Sequence, residues 1–145
     1  MTVSRLIFSG MLAAPLFFLM LLLPAIAVSS SAVTISDLGM IHAPDEYENI
    51  HVQALSSDTH ASEFLIFVKK GVPLHRHLKH SETIYVLEGE AEMQLGDVRI
   101  KLQKGSFIKV PQGLAHGVVV RSSTALKVLS VQAPEFLGKD RVSAE

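Results

Sequence analysis

The sequence predicts an all-β fold, a small barrel or sandwich of about eight short strands, preceded by an apolar N-terminal segment. Three observations support this fold class. After residue 49 the chain consists of short runs rich in valine, isoleucine and leucine, turn signals separate these runs, and no segment after residue 30 has sustained helical periodicity. Closely spaced short strands are typical of sandwiches and barrels. A length of 145 residues allows one such domain.

The first element is an uncharged apolar segment, residues 6–27, which follows a single arginine. Pro24 interrupts it just before Ala25-Ile26-Ala27, a pattern that signal peptidase accepts, so residues 1–27 are predicted to be a signal peptide. The alternative is an uncleaved signal anchor, because a helix of this length, at about 1.5 Å per residue, reaches roughly 33 Å and can span a bilayer. The domain is therefore expected to be periplasmic or secreted in the first case, and membrane-anchored outside the cytoplasm in the second.

The remaining elements follow in order along the chain. Residues 28–49 are an N-terminal extension with a serine-rich start, residues 50–133 hold the strands, and residues 134–145 are a polar C-terminal tail that is expected to fray. The predicted strands are 50–55, 64–68, 83–88, 91–95, 98–102, 106–110, 116–120 and 125–133. Between them lie predicted turns, among them Gly71-Val72-Pro73 and Pro111-Gln112-Gly113.

The composition excludes several functions. Thirteen lysines and arginines balance fourteen acidic residues, and no basic stripe appears, so a nucleic-acid partner is not expected. The chain has no cysteine, which excludes a disulfide, a thiolate metal site, a cysteine nucleophile and a lipoprotein anchor.

Histidines concentrate in one short stretch of the strand region. His75 and His77 are two residues apart, so on a strand both side chains project from the same face. The loop 78–81 allows the chain to reverse and bring Glu82 in from the next strand, and His116 follows the turn 111–113. Three neutral imidazoles and one carboxylate would form a site suited to first-row divalent ions. The alternative is that these are ordinary surface histidines in loops.

These residues also carry a family resemblance. Residues 75–89 read HRHLKHSETIYVLEG and residues 105–116 read GSFIKVPQGLAH. Together they resemble the two motifs of the cupin superfamily, over roughly residues 60–130. The resemblance implies a small single-domain cupin, a double-stranded β-helix or jelly-roll barrel. It also implies that His75, His77, Glu82 and His116 bind a metal.

Four protein donors on an ion that prefers six leave positions for water, substrate or dioxygen. Iron and manganese would imply oxygen or oxalate-type chemistry, and zinc and nickel isomerisation, elimination or hydrolysis; copper is also a candidate. The resemblance favours a metal-dependent enzyme acting on a small molecule, with a dioxygenase-type oxidoreductase ahead of an isomerase or lyase. The alternative is a non-catalytic cupin that binds a small ligand or the metal itself. A homodimer is the expected assembly.

Other side chains around this site are open to two interpretations. His80 is either a catalytic proton shuttle or extra ligand, or a solvated loop histidine beside Lys79, and the second is favoured. Lys109 and Arg99 could recognise an anionic substrate, but exterior positions are expected for both. The apolar side chains that share the faces of Glu82 and His116 should line a pocket; they are Ile84, Val86 and Val118.

Overall fold

Antiparallel strands dominate residues 36–144, which are the residues that the computed structural model describes. A short 3₁₀ turn, Leu38–Met40, precedes them. The strands are β1 (Ile50–Ser57), β2 (Ser62–Val68), β3 (Gly71–His77), β4 (Ser81–Glu88), β5 (Ala91–Leu95), β6 (Val98–Leu102), β7 (Phe107–Val110), β8 (His116–Val120), β9 (Leu126–Ala133) and β10 (Arg141–Ser143).

The strands form two five-stranded sheets. One has the order β1-β2-β9-β4-β7 and the other β10-β3-β8-β5-β6. Successive side chains of a strand point to opposite faces, so alternate residues of each strand meet between the sheets. Val86, Met93 and Val110 lie there and are at most 2% exposed. The predicted all-β fold, with two antiparallel sheets around one core, is confirmed.

All eight predicted strands are present, with ends within two residues of the prediction. Strand β3 was not predicted over its full length, because Gly71-Val72-Pro73 was interpreted as a turn. A Cβ atom on Gly71 would lie 2.4 Å from the Val118 carbonyl oxygen, so this glycine permits close approach of β8. Pro73 has no N–H to donate, and the β3–β8 register shifts between Val72 and His75.

The C-terminal segment is also more ordered than expected. Residues 141–143 form β10, which pairs with β3, and Asp140 is buried just before it. The expectation that this tail frays is therefore wrong. All three residues of β10 are exposed to solvent to some extent, so the segment lacks the apolar alternation that marks a strand in sequence.

The predicted signal peptide or anchor, residues 1–27, lies outside the described residues, as does the beginning of the 28–49 extension. Among residues 36–144, no helix combines the length and apolar character needed to cross a membrane.

Candidate metal centre

Three strands bring the four predicted ligands together. His75 and His77 lie on the interior face of β3, and His75 is directly opposite His116 on β8. Glu82 comes from β4 in the other sheet. The turn before His116 is fastened to β3, since the Gly113 N–H donates to the His77 carbonyl at 2.8 Å. All four side chains are buried and line one cavity between the sheets.

Backbone carbonyls orient two of the three imidazoles. His75 Nδ1 lies 2.9 Å from the Pro73 oxygen, and His116 Nδ1 lies 2.9 Å from the Leu114 oxygen. A carbonyl oxygen only accepts hydrogen bonds, so each Nδ1 must carry the proton. In the neutral ring the Nε2 lone pair is then free to bind a cation.

Glu82 faces these nitrogens as an anion. Its Oε2 lies 3.2 Å from His116 Nε2 and 3.6 Å from His77 Nε2, while its Oε1 accepts a hydrogen bond from the Ser130 hydroxyl. Burial alone would raise the pKa of Glu82, but the contacts with His116, His77 and Ser130 outweigh burial and hold the pKa well below its ordinary value. The site therefore contains a buried carboxylate surrounded by imidazole nitrogens.

These donors fit a divalent metal ion. One nitrogen from each of His75, His77 and His116 lies within 4.8 Å of the others. Burial is the main cause that lowers the pKa of His75 to about 4, and the charge of Arg141 adds to the effect; the ring is therefore neutral at pH 7, as a ligand must be. Within the described part of the chain, neither ring nitrogen of His77 has a hydrogen-bond partner, although both are buried. A cation bound by His77 Nε2 would satisfy one of them.

His80 lies behind His77, and the interpretation of it as a solvated loop residue is wrong. It is 2% exposed, and its ring centroid is 4.1 Å from that of His77. Its Nδ1 lies 2.7 Å from Asp140 Oδ2. Burial and the neighbouring His77 lower the pKa of His80, against the opposing effect of Asp140. His80 does not belong to the described residues that line the cavity, and its catalytic role stays a prediction.

Sequence reasoning missed Asp140, whose carboxylate links the C-terminal segment to the loop between β3 and β4. Its Oδ2 accepts from His80 Nδ1 and from the Lys79 N–H at 3.1 Å. Its Oδ1 lies 3.9 Å from His77 Nδ1 and has no hydrogen-bond partner among residues 36–144. A carboxylate behind a metal-binding histidine orients the ring and makes it a stronger ligand. No local pattern marks Asp140, because it reaches this position only through the pairing of β10 with β3.

The ligands open onto a cavity of about 220 Å³ with mainly apolar walls. Ile84 and Val118 line it as predicted, whereas Val86 is buried in the core. Two further polar side chains contribute to the wall, Gln132 and Arg141. The amide nitrogen of Gln132 donates to the Ser130 oxygen at 3.4 Å, and its buried Oε1 has no partner among the described residues.

Comparisons with known proteins agree with this architecture. Residues 62–132 match the cupin domain family. An uncharacterised protein of Aquifex aeolicus is 34% identical over 99 residues, which cover 68% of this chain and 80% of that protein. The chain belongs to the cupin family, as its motifs predicted.

Solved structures show the same fold. An uncharacterised double-stranded β-helix protein of Klebsiella pneumoniae superposes with a TM-score of 0.67 at 19% identity, covering 79% of this chain and 99% of that one. An oxalate decarboxylase superposes with a TM-score of 0.60 at 22% identity. That match covers 70% of this chain and only 30% of the decarboxylase.

Proposed function

We propose that this cupin holds one divalent transition metal ion on His75, His77, Glu82 and His116 and uses it as an enzyme on a small molecule. The observation that carries the proposal is the convergence of three imidazole nitrogens and one carboxylate at the wall of a small apolar cavity. Three nitrogens and one oxygen are a donor set that iron, manganese, zinc, nickel and copper all accept.

The chain's own residues prepare the reaction space. Backbone carbonyls accept hydrogen bonds from Nδ1 of His75 and of His116, which leaves Nε2 of each ring free for a metal ion. The apolar walls of the cavity exclude water from a bound small molecule. Gln132 Oε1 offers an acceptor to a hydroxyl or amine of the ligand. A bound ion would supply open coordination positions at which a small molecule or dioxygen binds and is polarised. We favour a dioxygenase-type oxidation over isomerisation or elimination. The shared fold of an oxalate decarboxylase supports small-molecule chemistry in such a barrel.

The metal is tested first. The full-length protein is expressed, purified, loaded separately with each of the five metals and desalted, and its metal content is measured. Wild type and His60→Ala should each retain about one ion per chain, because His60 is exposed and far from the ligands in sequence. His77→Ala and Glu82→Gln should retain much less. Loss of every metal from the folded wild type would refute the site.

Catalysis is tested next, by oxygen uptake and product analysis with a panel of chelating acids. Turnover that His77→Ala abolishes and His60→Ala preserves would support an enzyme. Tight stoichiometric binding of a small ligand, without turnover under any of the metals, would instead identify a non-catalytic binding module.

Export is a separate part of the proposal and rests on the apolar segment 6–27 and the Ala25-Ile26-Ala27 site. Cell fractionation and N-terminal sequencing test it. A soluble exported chain beginning at Val28 would support a cleaved signal peptide. An intact N-terminus in the membrane fraction would support the anchor, and an intact chain in the cytoplasm would refute export.

A further inference from the structure

Arg141 lies at the cavity although it is the first residue of the last strand. It is directly opposite His77 in the β10–β3 pair. Side chains of directly opposed residues in an antiparallel pair share one face of the sheet, so Arg141 projects on the same side as the metal ligand. It lines the cavity, and it is close enough for its charge to act on His75.

The charge of Arg141 is available to a ligand. Within residues 36–144 it is the only lysine or arginine that lines the cavity, and no carboxylate there forms an ion pair with it. Arg141 is exposed to solvent, as are Arg99 and Arg121, but those two arginines both contact Glu92. The one acidic side chain in the wall, Glu82, already interacts with His116, His77 and Ser130.

A guanidinium beside an apolar cavity selects for a particular chemistry. Its planar set of N–H donors matches the two oxygens of a carboxylate, which it can bind through two parallel hydrogen bonds. A cavity of about 220 Å³ restricts the ligand to a small molecule, because it lies below the range of roughly 300–1,000 Å³ typical of larger ligands.

We propose that Arg141 is the specificity residue of this site and that the cavity takes a small carboxylic acid. The metal centre binds one end of this acid, and Arg141 binds a carboxylate group of it. This inference rests on the proposed metal function and goes beyond it in naming the substrate class. Lys109 and Arg99, the basic residues considered from sequence, are both exposed outside the cavity.

The test compares two probes on zinc-loaded full-length protein by isothermal titration calorimetry. Malate and lactate share a chelating 2-hydroxy acid, and only malate carries a second carboxylate. Wild type should bind malate at least about tenfold more tightly than lactate, as expected for one charge-assisted interaction. Arg141→Gln should reduce this preference several-fold or more, and Arg141→Lys should keep part of it, because lysine retains the charge without the planar fork. Arg99→Gln is the matched control and should behave as wild type.

Zinc content is measured for every variant before titration, which separates the two proposals. If zinc is retained and the malate preference depends on Arg141, both proposals stand. If zinc is retained but Arg141→Gln and Arg141→Lys keep the full preference, or wild type does not prefer malate, the inference about Arg141 is overturned and the metal site stands. If folded wild type retains no zinc or other metal, the metal proposal fails and this inference fails with it.

Discussion

Replacing Asp140 is predicted to loosen the C-terminal segment and, at the same time, to weaken metal binding by the proposed ligand His77. The carboxylate accepts two hydrogen bonds, from His80 Nδ1 at 2.7 Å and from the Lys79 N–H at 3.1 Å. Its second oxygen points towards His77 Nδ1 at 3.9 Å. Asp140→Ala removes these acceptors and leaves the buried His80 Nδ1 and the part-buried Lys79 N–H without their partner.

The cost follows from the number of bonds lost. A hydrogen bond to a charged group contributes about 1.5–3 kcal/mol, and two bonds to one oxygen are not additive, so we expect a loss of about 3 kcal/mol. For a domain of this size, a loss of 1 kcal/mol lowers the melting temperature by about 4 °C. Asp140→Ala should therefore melt roughly 12 °C below wild type. Asp140→Asn keeps one carbonyl acceptor and should lose about half as much.

Thermal unfolding of the metal-free proteins measures the first effect, and competition with a zinc chelator measures the second. Loss of a carboxylate behind a ligating histidine weakens metal binding by about 10- to 100-fold. Asp97→Asn, in the exposed β5–β6 turn, is the control and should leave both quantities unchanged. An Asp140→Ala protein that melts within about 2 °C of wild type would refute the stability argument. Unchanged zinc affinity in a destabilised variant would show that Asp140 does not position His77.

Three further predictions concern stability. Burial lowers the pKa of His75 from 6.5 to about 4, so between these pH values the unfolded chain binds a proton that the folded chain does not. The free energy of unfolding of metal-free protein should therefore be highest above pH 6.5 and fall as the pH drops towards 4. A flat profile in denaturant titrations would contradict this. Gly89→Ala should lower the melting temperature more than Gly105→Ala does. Both glycines have positive φ, but only at Gly89 would a Cβ atom lie 2.8 Å from a backbone oxygen. Equal melting temperatures of the two variants would exclude the clash. Lys127 is buried, and its Nζ contacts the Glu88 carboxylate at 3.3 Å and the Gly39 carbonyl at 3.4 Å. Because Glu88 is half-exposed and Gly39 remains as a partner, Glu88→Ala should lower stability by about 1 kcal/mol while Lys127→Met is near neutral; the reverse order in urea unfolding would refute this.

Much of the fold could be predicted because its signals are local. Strand β4 alternates buried and more exposed residues, and this period of two is visible in the sequence. The same period places His75 and His77 on one face of β3, and the short loop that follows brings Glu82 to them. The place of His116 beside them was implied by the resemblance to the cupin motifs, because spacing alone does not show that β8 pairs with β3.

The errors arose where a residue type has two uses. Gly71 and Pro73 are common turn residues, yet here they lie inside β3, one because β8 approaches closely and the other beside a register shift. His80 follows a similar pattern. A histidine beside a lysine in a loop suggests exposure, and only the carboxylate of Asp140, far along the chain, allows its ring to be buried.

Two side chains of the candidate site, Asp140 and Arg141, reach it through the pairing of β10 with β3. That pairing joins segments more than sixty residues apart and has no apolar pattern of its own. The match to the cupin family ends at residue 132, so the family segment supplies the four proposed ligands and most of the cavity wall. Four residues complete the wall and lie outside that segment: Ile50, Val52, Phe136 and Arg141. If the proposals hold, the metal site follows from the motifs, whereas the choice of small molecule depends also on residues of the flanking segments, among them β1 and β10. Exchanging residues 141–144 for the corresponding segment of another cupin, which leaves Asp140 in place, should therefore change which acid binds while preserving metal content; a chimera that keeps the wild-type ligand preference would contradict this division.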